Sequence, residues 1–511
     1  MISLVHAITV NGLDTTIVDI EVDINQGLPA FTIVGLPDQW VQESKERLRS
    51  ALKSSGAKLP TIRITVNLAP ANIKKSGPSF DLGIAIGILL DQGYIKNDAL
   101  IRDSIFLWEL SLDGSLRHIP SVLPATIGAK EKGFKRIFIP ATNTKEASII
   151  PWIEVVKIHN LTELIDVLNK ESDYIPETVL NISTLRAEKV WESYDFSHII
   201  GQKQAKRALE IAAAGGHNIL MEGPPGSGKT LLAKSFATIL PDLTLEEAIE
   251  ISKIYSISGL LSDEQPLIVE RPFRAIHHTA SSASIIGGGT NARPWEISLA
   301  HKGVLFLDEI LEFQKTVLEV LRQPLEDGEI TVTRVNASYN YPAKFSLVGA
   351  MNPCPCGYLT DPDKACICSP NQIANYRGRL SWPLLDRVDM YIEVPKVPTE
   401  DFRKSREIHS EDSHTIQTRV QKARNIQLER FHALWISSNA EMKSKDTKHF
   451  CKLESESEQI LSRAVKTMNL SARSYYRILK LARTIADLEG VDMITLSHIL
   501  EALSYRKKEE D

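Results

Sequence analysis

Three groups of residues in this 511-residue chain have the types and spacing to do chemistry. The run Gly223-Pro224-Pro225-Gly226-Ser227-Gly228-Lys229-Thr230 fits the phosphate-loop pattern G-x-x-x-x-G-K-[ST]. Its glycines allow backbone N–H groups to turn inward around phosphate oxygens, and a helix N-terminus adds positive potential there. Lys229 is expected on the β- and γ-phosphates of a nucleoside triphosphate, and the Thr230 hydroxyl on Mg²⁺. The second group is Asp308-Glu309, directly after the apolar run Val304-Leu-Phe-Leu307. Asp308 fits the carboxylate on the magnesium side, and Glu309 is placed to polarise an attacking water as general base. Asn352, which ends the run Phe345-Ser-Leu-Val-Gly-Ala-Met, is expected to orient that water and to sense the γ-phosphate. The third group is Cys354, Cys356, Cys366 and Cys368. Four thiols this close suit a closed tetrahedral shell for a structural Zn²⁺, although C-x-C is tighter than the usual C-x₂₋₄-C; the alternative is a loop of free cysteines.

The elements that must position these groups can be read on either side of them. Asn218–Glu222 reads as a short buried strand and Leu231–Leu240 as a helix, so the glycine run sits in the strand–loop–helix context its chemistry requires. Val304–Leu307 reads as a central parallel strand buried on both faces, which puts Asp308 and Glu309 at a carboxyl end, where ligands of open α/β sheets bind. Lys315–Leu325 reads as a helix, and Gly328–Phe345 as a β-hairpin around a polar turn. Pro272–His301 reads as a glycine-rich, β-compatible insertion, within which His277-His278 are expected as a packed or hydrogen-bonded pair, since no third ligand stands at metal spacing. Arg377, Arg379 and Arg387 cluster near the end of this core. From about Thr399 the chain reads as helical, with Asp412–Glu429, Glu456–Met468, Ala472–Leu488 and Leu496–Tyr505 as helices. Ser471 is the N-cap of the third, and Trp435–Lys452 a polar connector.

Length alone requires several domains. Hydrophobic content of 43% and charged content of 24% are those of a soluble globular protein. A net charge of −5 gives no global basic field, so any nucleic-acid site must be a local patch. No signal peptide or membrane span is read, and a cluster of cysteines in an unexported chain argues for reduced thiols, so a cytoplasmic location is expected. Residues 1–170 alternate strands (Thr15–Val22, Ile62–Asn67) with helices (Val41–Gly56, Phe80–Asp91) and read as an α+β domain. Residues 171–194 read as a linker, 195–398 as the nucleotide-binding core and 399–511 as a helical lid.

In residues 1–170, Lys75–Leu82, Glu109–Gly114 and Gly133–Pro140 resemble the Lon-protease-type domain with its ribosomal-S5-like fold. Ser79 lies where such proteases carry the nucleophile, but Leu123 stands where the partner lysine is expected, and a serine without a base is a weak nucleophile. From residue 195 onward, phosphate loop, acidic strand end, asparagine-tipped strand, arginine cluster and helical lid follow in the order of an AAA+ ATPase. His277-His278-Thr279, Gly287–Gly289, Glu296–His301, Cys354-Pro-Cys-Gly357 and Leu384-Leu-Asp-Arg387 resemble the bacterial ComM/YifB family, magnesium-chelatase-like proteins of the helix-2-insert clade. Trp382 departs from it, where glycine is expected before Pro-Leu-Leu-Asp-Arg.

The resemblance implies ATP and Mg²⁺ as ligands and a homo-hexameric ring with Arg387 as arginine finger, Arg379 as the second candidate and Arg473 as second-sensor arginine. It also implies binding of branched or single-stranded DNA, with recombination proteins as further partners, and branch migration in natural transformation. Arg334 and Lys344 are the phosphate contacts expected on a pore hairpin. Two other readings are weighed: a chelatase-type motor that remodels a protein partner, and an ATP-dependent peptidase, which lacks its lysine.

Overall fold

The computed structural model describes residues 2–73, 75, 78–96, 99–179, 194–281, 284–285, 287–288, 293–334, 337–398, 410–434, 436–468 and 470–506. Most of the expected linker, residues 180–193, lies outside them, as do Gly289, residues 335–336 of the expected hairpin and residues 399–409, where the helical region was expected to start. The chain divides into two compact units: residues 1–187 with 248–269, and residues 188–247 with 270–511.

The first unit is built on a mixed seven-stranded sheet. Its order is Ala30–Val34, Arg63–Ala69, Asp14–Asn25, Ser3–Asn11, Ser104–Phe106, Arg136–Pro140 and Glu154–Ile158. The long hairpin Ser3–Asn25 pairs antiparallel, and the three strands beyond it run parallel to its first arm. Helix Asp81–Asp91 is buried from Asp81 to Leu89, as its nearly unbroken apolar run requires. The one charge in that buried stretch, Asp81, accepts from Arg47 Nε at 2.6 Å and from Ser44. Ser79 sits half-buried in a short 3₁₀ turn, and Leu123, at the position of the expected base, is wholly buried in helix Val122–Glu131. The segment 248–269, drawn from what reads as one nucleotide core, packs here: Ser256 Oγ donates to the buried Glu146 at 2.5 Å.

The second unit is built on a five-stranded sheet in the order Phe273–Ile276, Val304–Leu307, Ser346–Met351, Ile219–Glu222 and Met390–Glu393, all parallel. The three middle strands are buried along their whole length, because helices cover both faces. A helical C-terminal region follows, with helices Ser413–Arg430, Ser455–Thr467, Ala472–Glu489 and Leu496–Ser504. Asp412 and Ser471 cap two of them by accepting from backbone N–H groups three residues on.

Three expectations are corrected. Phe273–Ile276 is a core strand of the parallel sheet and not part of an insertion. The helix read over Lys315–Leu325 is two helices, Lys315–Val320 and Arg322–Asp327, broken where Pro324 removes a donor from the ladder. The connector read over 435–452 contains a 3₁₀ turn, Asn439–Glu441, and a helix, Ser444–Phe450. It is held in place because the buried Asn439 amide donates to Asp487 at 2.8 Å and to Thr484 at 3.1 Å.

Candidate functional site

The phosphate loop lies between strand Ile219–Glu222 and helix Lys229–Phe236. Gly223 cannot carry a side chain: a Cβ there would lie 2.2 Å from the Val394 carbonyl oxygen, because the loop leaves its strand against the end of Met390–Glu393. Lys229 is largely buried, and its ammonium donates to the carbonyls of Gly223 at 2.7 Å and Pro224 at 3.0 Å and to Asn352 Oδ1 at 3.3 Å. Burial holds its pKa below the ordinary lysine value, against the pull of Asp308, Glu309 and Glu222. A buried cation satisfied mainly by neutral carbonyls is a strong attractor for an anion.

Register explains how residues far apart in sequence meet here. Glu222 pairs with Met351 in parallel strands, so the next residue of each, Gly223 and Asn352, emerge side by side. Leu307 pairs with Ile276, so Asp308 and Glu309 emerge beside His277 and His278. The Thr230 hydroxyl donates to Asp308 Oδ2 at 2.8 Å, and the Glu309 backbone N–H to Asp308 Oδ1 at 3.0 Å. A hydroxyl and a carboxylate sharing one spot are the hard oxygen donors that suit Mg²⁺.

Glu309 has a left-handed backbone, φ +50°. That conformation costs a non-glycine residue on the order of 1 kcal/mol and turns its side chain away from the strand direction, the kind of strain held at functional sites. Its carboxylate lies 3.5 Å from His278 Nδ1. His277 Nδ1 is 2.9 Å from Thr279 Oγ1, and the two imidazoles pack with centroids 4.2 Å apart. The two histidines therefore form the packed alternative of the pair expected from sequence, but its place beside Glu309 was missed. The signal was the short run Phe-Arg-Ala-Ile ahead of the histidines, which is a strand only because it has Val304–Leu307 to pair with.

The arginines divide into two groups. Arg377 donates to Glu222 at 3.0 Å and to the Pro353 carbonyl at 3.3 Å, bracing the strand that feeds the phosphate loop. Arg379 is paired with Glu312 at 2.9 Å. Arg387 and Arg473 instead converge on Glu326, one on each carboxylate oxygen, and Arg473 also lies 3.5 Å from Asp386. Burial disfavours the charge of Glu326, but the two arginines outweigh it and hold its carboxyl below the ordinary range. The polar partners of Arg387 and Arg473 are Glu326, Asp386 and the Pro383 carbonyl, and among the described residues neither makes a hydrogen bond or ion pair with loop 223–230.

The hairpin pairs Glu329–Arg334 with Ala337–Pro342. The Arg334 side chain is outside what is described. Lys344 lies beyond the hairpin and pairs with Glu441 at 3.1 Å.

The four cysteine sulfurs lie within 4.8 Å of one another, with Cys354 3.3 Å from Cys356, and Cys366 3.6 Å from both. A tetrahedron with arms of about 2.3 Å has edges of about 3.8 Å, so the cluster needs little adjustment to close on a Zn²⁺. Backbone N–H groups of Tyr358 and Ile367 donate to Cys356 and pull its thiol down to about 6, while those of Cys354, Cys366 and Cys368 are raised, so one thiolate is favoured within the cluster. The cluster is coupled to the phosphate loop. Gly357, at φ +82°, is so close to Pro225 that a Cβ would meet its ring at 2.7 Å.

Comparison with known proteins finds matches along nearly the whole chain. Residues 195–402 match the family described as magnesium chelatase, subunit ChlI, residues 20–143 the ChlI subunit of Mg-chelatase, and residues 410–506 its C-terminal region. The class is thus a magnesium-chelatase-like AAA+ protein. Competence protein ComM of Haemophilus influenzae is 42% identical, over 99% of this chain and 97% of its own length. The uncharacterized protein YifB of Escherichia coli is 40% identical over 99% and 97%. The magnesium-chelatase 67 kDa subunit of Chlorobaculum parvum is 29% identical over 42% of this chain and 28% of its own length. The chain belongs to the ComM/YifB family. Among the described residues no helix is long and apolar enough to cross a membrane.

Proposed function

We propose that this chain is an ATP-hydrolysing motor that works as a homo-hexameric ring and translocates DNA, driving branch migration of recombination intermediates. The observation that carries the ATPase part is the convergence of Lys229, Thr230, Asp308 and Asn352 at the carboxyl ends of neighbouring parallel strands. Backbone N–H groups of residues 223–230 and the Lys229 ammonium bind the triphosphate. Thr230 and Asp308 would hold Mg²⁺, which would supply positive charge to offset that developing on the phosphates. Glu309 takes the proton of the attacking water, His278 orients that carboxylate, and Asn352 fixes the water relative to Lys229.

Arg387 and Arg473 serve a neighbouring subunit's site. Their shared contact with Glu326 supports this assignment. The cysteine shell carries a structural Zn²⁺ that stiffens the turn against Pro225. DNA as the substrate is supported by membership of a family that includes a competence protein, and the hairpin 329–342 is the element proposed to touch it. A chelatase-type motor acting on a protein partner is the second reading, favoured by the three ChlI matches.

ATP turnover measured with and without forked or single-stranded DNA separates the two. Stimulation by DNA in the intact chain, and branch migration abolished by Lys229→Ala, are the expected results. Turnover indifferent to every DNA would overturn the DNA reading and leave the ATPase one standing.

A further inference from the structure

A cleft of about 430 Å³ opens on the first unit between the edge strand Ala30–Val34, the helix Ser44–Ser54 and the residues that follow it. Lys45, Arg49, Lys53 and Lys58 line it, and no carboxylate does. The first three recur every fourth residue, so they share one helix face at about 5–6 Å spacing. The adjoining face of the same helix, with Leu48, Ala51 and Leu52, is buried and fixes the row in place. The charges are poorly matched. Arg49 has only an exposed contact with Glu46 at 3.3 Å, worth little in water, and Lys45, Lys53 and Lys58 have no ion pair among the described residues. Phe31 and Ile62 supply an aromatic and an aliphatic surface beside them.

Four cations around one recess, only Arg49 among them with an ion pair among the described residues, in a chain whose net charge is −5, form a local positive field that a polyanion would discharge with release of counterions. A regular row of cations beside an aromatic ring matches a single strand, whose phosphates follow the row while a base rests on the ring. A bilayer surface is flat and would not enter the recess. We propose that this cleft binds the phosphodiester backbone of single-stranded nucleic acid through Lys45, Arg49, Lys53 and Lys58. The assignment rests on the DNA-motor reading and adds a grip on the strand in a different unit from the phosphate loop.

The test uses the full chain, a fluorescent single-stranded oligonucleotide and a salt series, comparing wild type with a Lys45→Ala, Lys53→Ala, Lys58→Ala variant and a Lys130→Ala, Lys132→Ala control. Losing three phosphate contacts should lower the slope of log affinity against log salt by about 2 and weaken low-salt binding at least tenfold. The control, the melting temperature and the turnover without DNA should not move. If the triple variant melts early, Lys53→Ala alone, at an exposed position, should lower the slope by about 0.7. Wild type that binds DNA with the variant's slope unchanged would overturn this site and spare the motor. Wild type that ignores DNA would overturn both. Loss of binding only to phosphatidylserine vesicles would overturn the site in favour of a membrane surface.

Discussion

The hydroxyl of Thr230 lies 2.8 Å from a carboxylate oxygen of Asp308, 78 positions away, so the phosphate loop and the acidic strand end are docked on each other. The contact leaves oxygens from two elements on one spot, where a divalent cation can replace the shared proton. Asp308→Asn keeps the shape but removes the charge. It should leave nucleotide binding without metal nearly unchanged and raise the Mg²⁺ concentration needed for half-maximal turnover at least tenfold, read from a magnesium titration of ATPase rate.

Arg387 and Arg473 grip the same carboxylate, and Arg387 is largely buried while doing so. The proposed finger role requires Arg387 to exchange Glu326 for a neighbour's γ-phosphate if a ring closes. Arg387→Ala should therefore bind ATP normally and lose about 10³-fold in turnover per assembled ring. Wild-type turnover per subunit should rise steeply with protein concentration, and dilution below assembly should abolish it. Glu326→Gln should weaken the hold on both arginines and shift that dependence to lower concentration, checked by ATPase assays alongside sedimentation.

Removing the metal predicted for the cysteine shell tests the brace on the phosphate loop. Purified protein should carry one Zn²⁺ per chain by elemental analysis. Stripping it with a chelator, or substituting Cys366→Ser with Cys368→Ser, should lower the melting temperature by several degrees and weaken ATP binding several-fold, since Gly357 packs on Pro225. A metal-free protein with unaltered melting and nucleotide affinity would remove the brace from the account.

Acid should loosen the packing of the turn at Glu441. Burial opposes its charge, but Lys302 and Lys344 with the Ser437 donors hold its carboxyl at about 2, against an ordinary 4.5. Because the folded-state value is depressed, its contribution is fully present above about pH 4.5 and is lost as pH falls toward 2, at most about 3 kcal/mol. Melting temperature against pH should fall across that window, and Glu441→Gln should start lower and show a shallower fall.

The parts of the candidate nucleotide site that the structure brings together were legible in the sequence because each pairs a distinctive residue with a local signal that needs no distant partner. Four consecutive apolar residues before Asp308, or a glycine loop opening a helix, declare themselves. Phe273–Ile276 did not, because only its pairing with Val304–Leu307 makes four half-polar residues a strand, and His278 was misplaced with it. Helix Leu245–Ser258 was not read, since Ala248, Ile251, Ser252 and Ile254 are buried among polar neighbours that blur the periodicity. The meeting of Arg387 with Arg473 at Glu326 is a tertiary fact that spacing does not encode.

The most direct test of the whole account is ATP turnover by Glu309→Gln beside wild type and Lys229→Ala, with nucleotide binding measured on the same preparations. Glu309→Gln should bind ATP as tightly as wild type, assemble with it, and hydrolyse it at least 10²-fold more slowly, while Lys229→Ala should fail to bind. Glu309→Gln turning over at the wild-type rate would contradict the account.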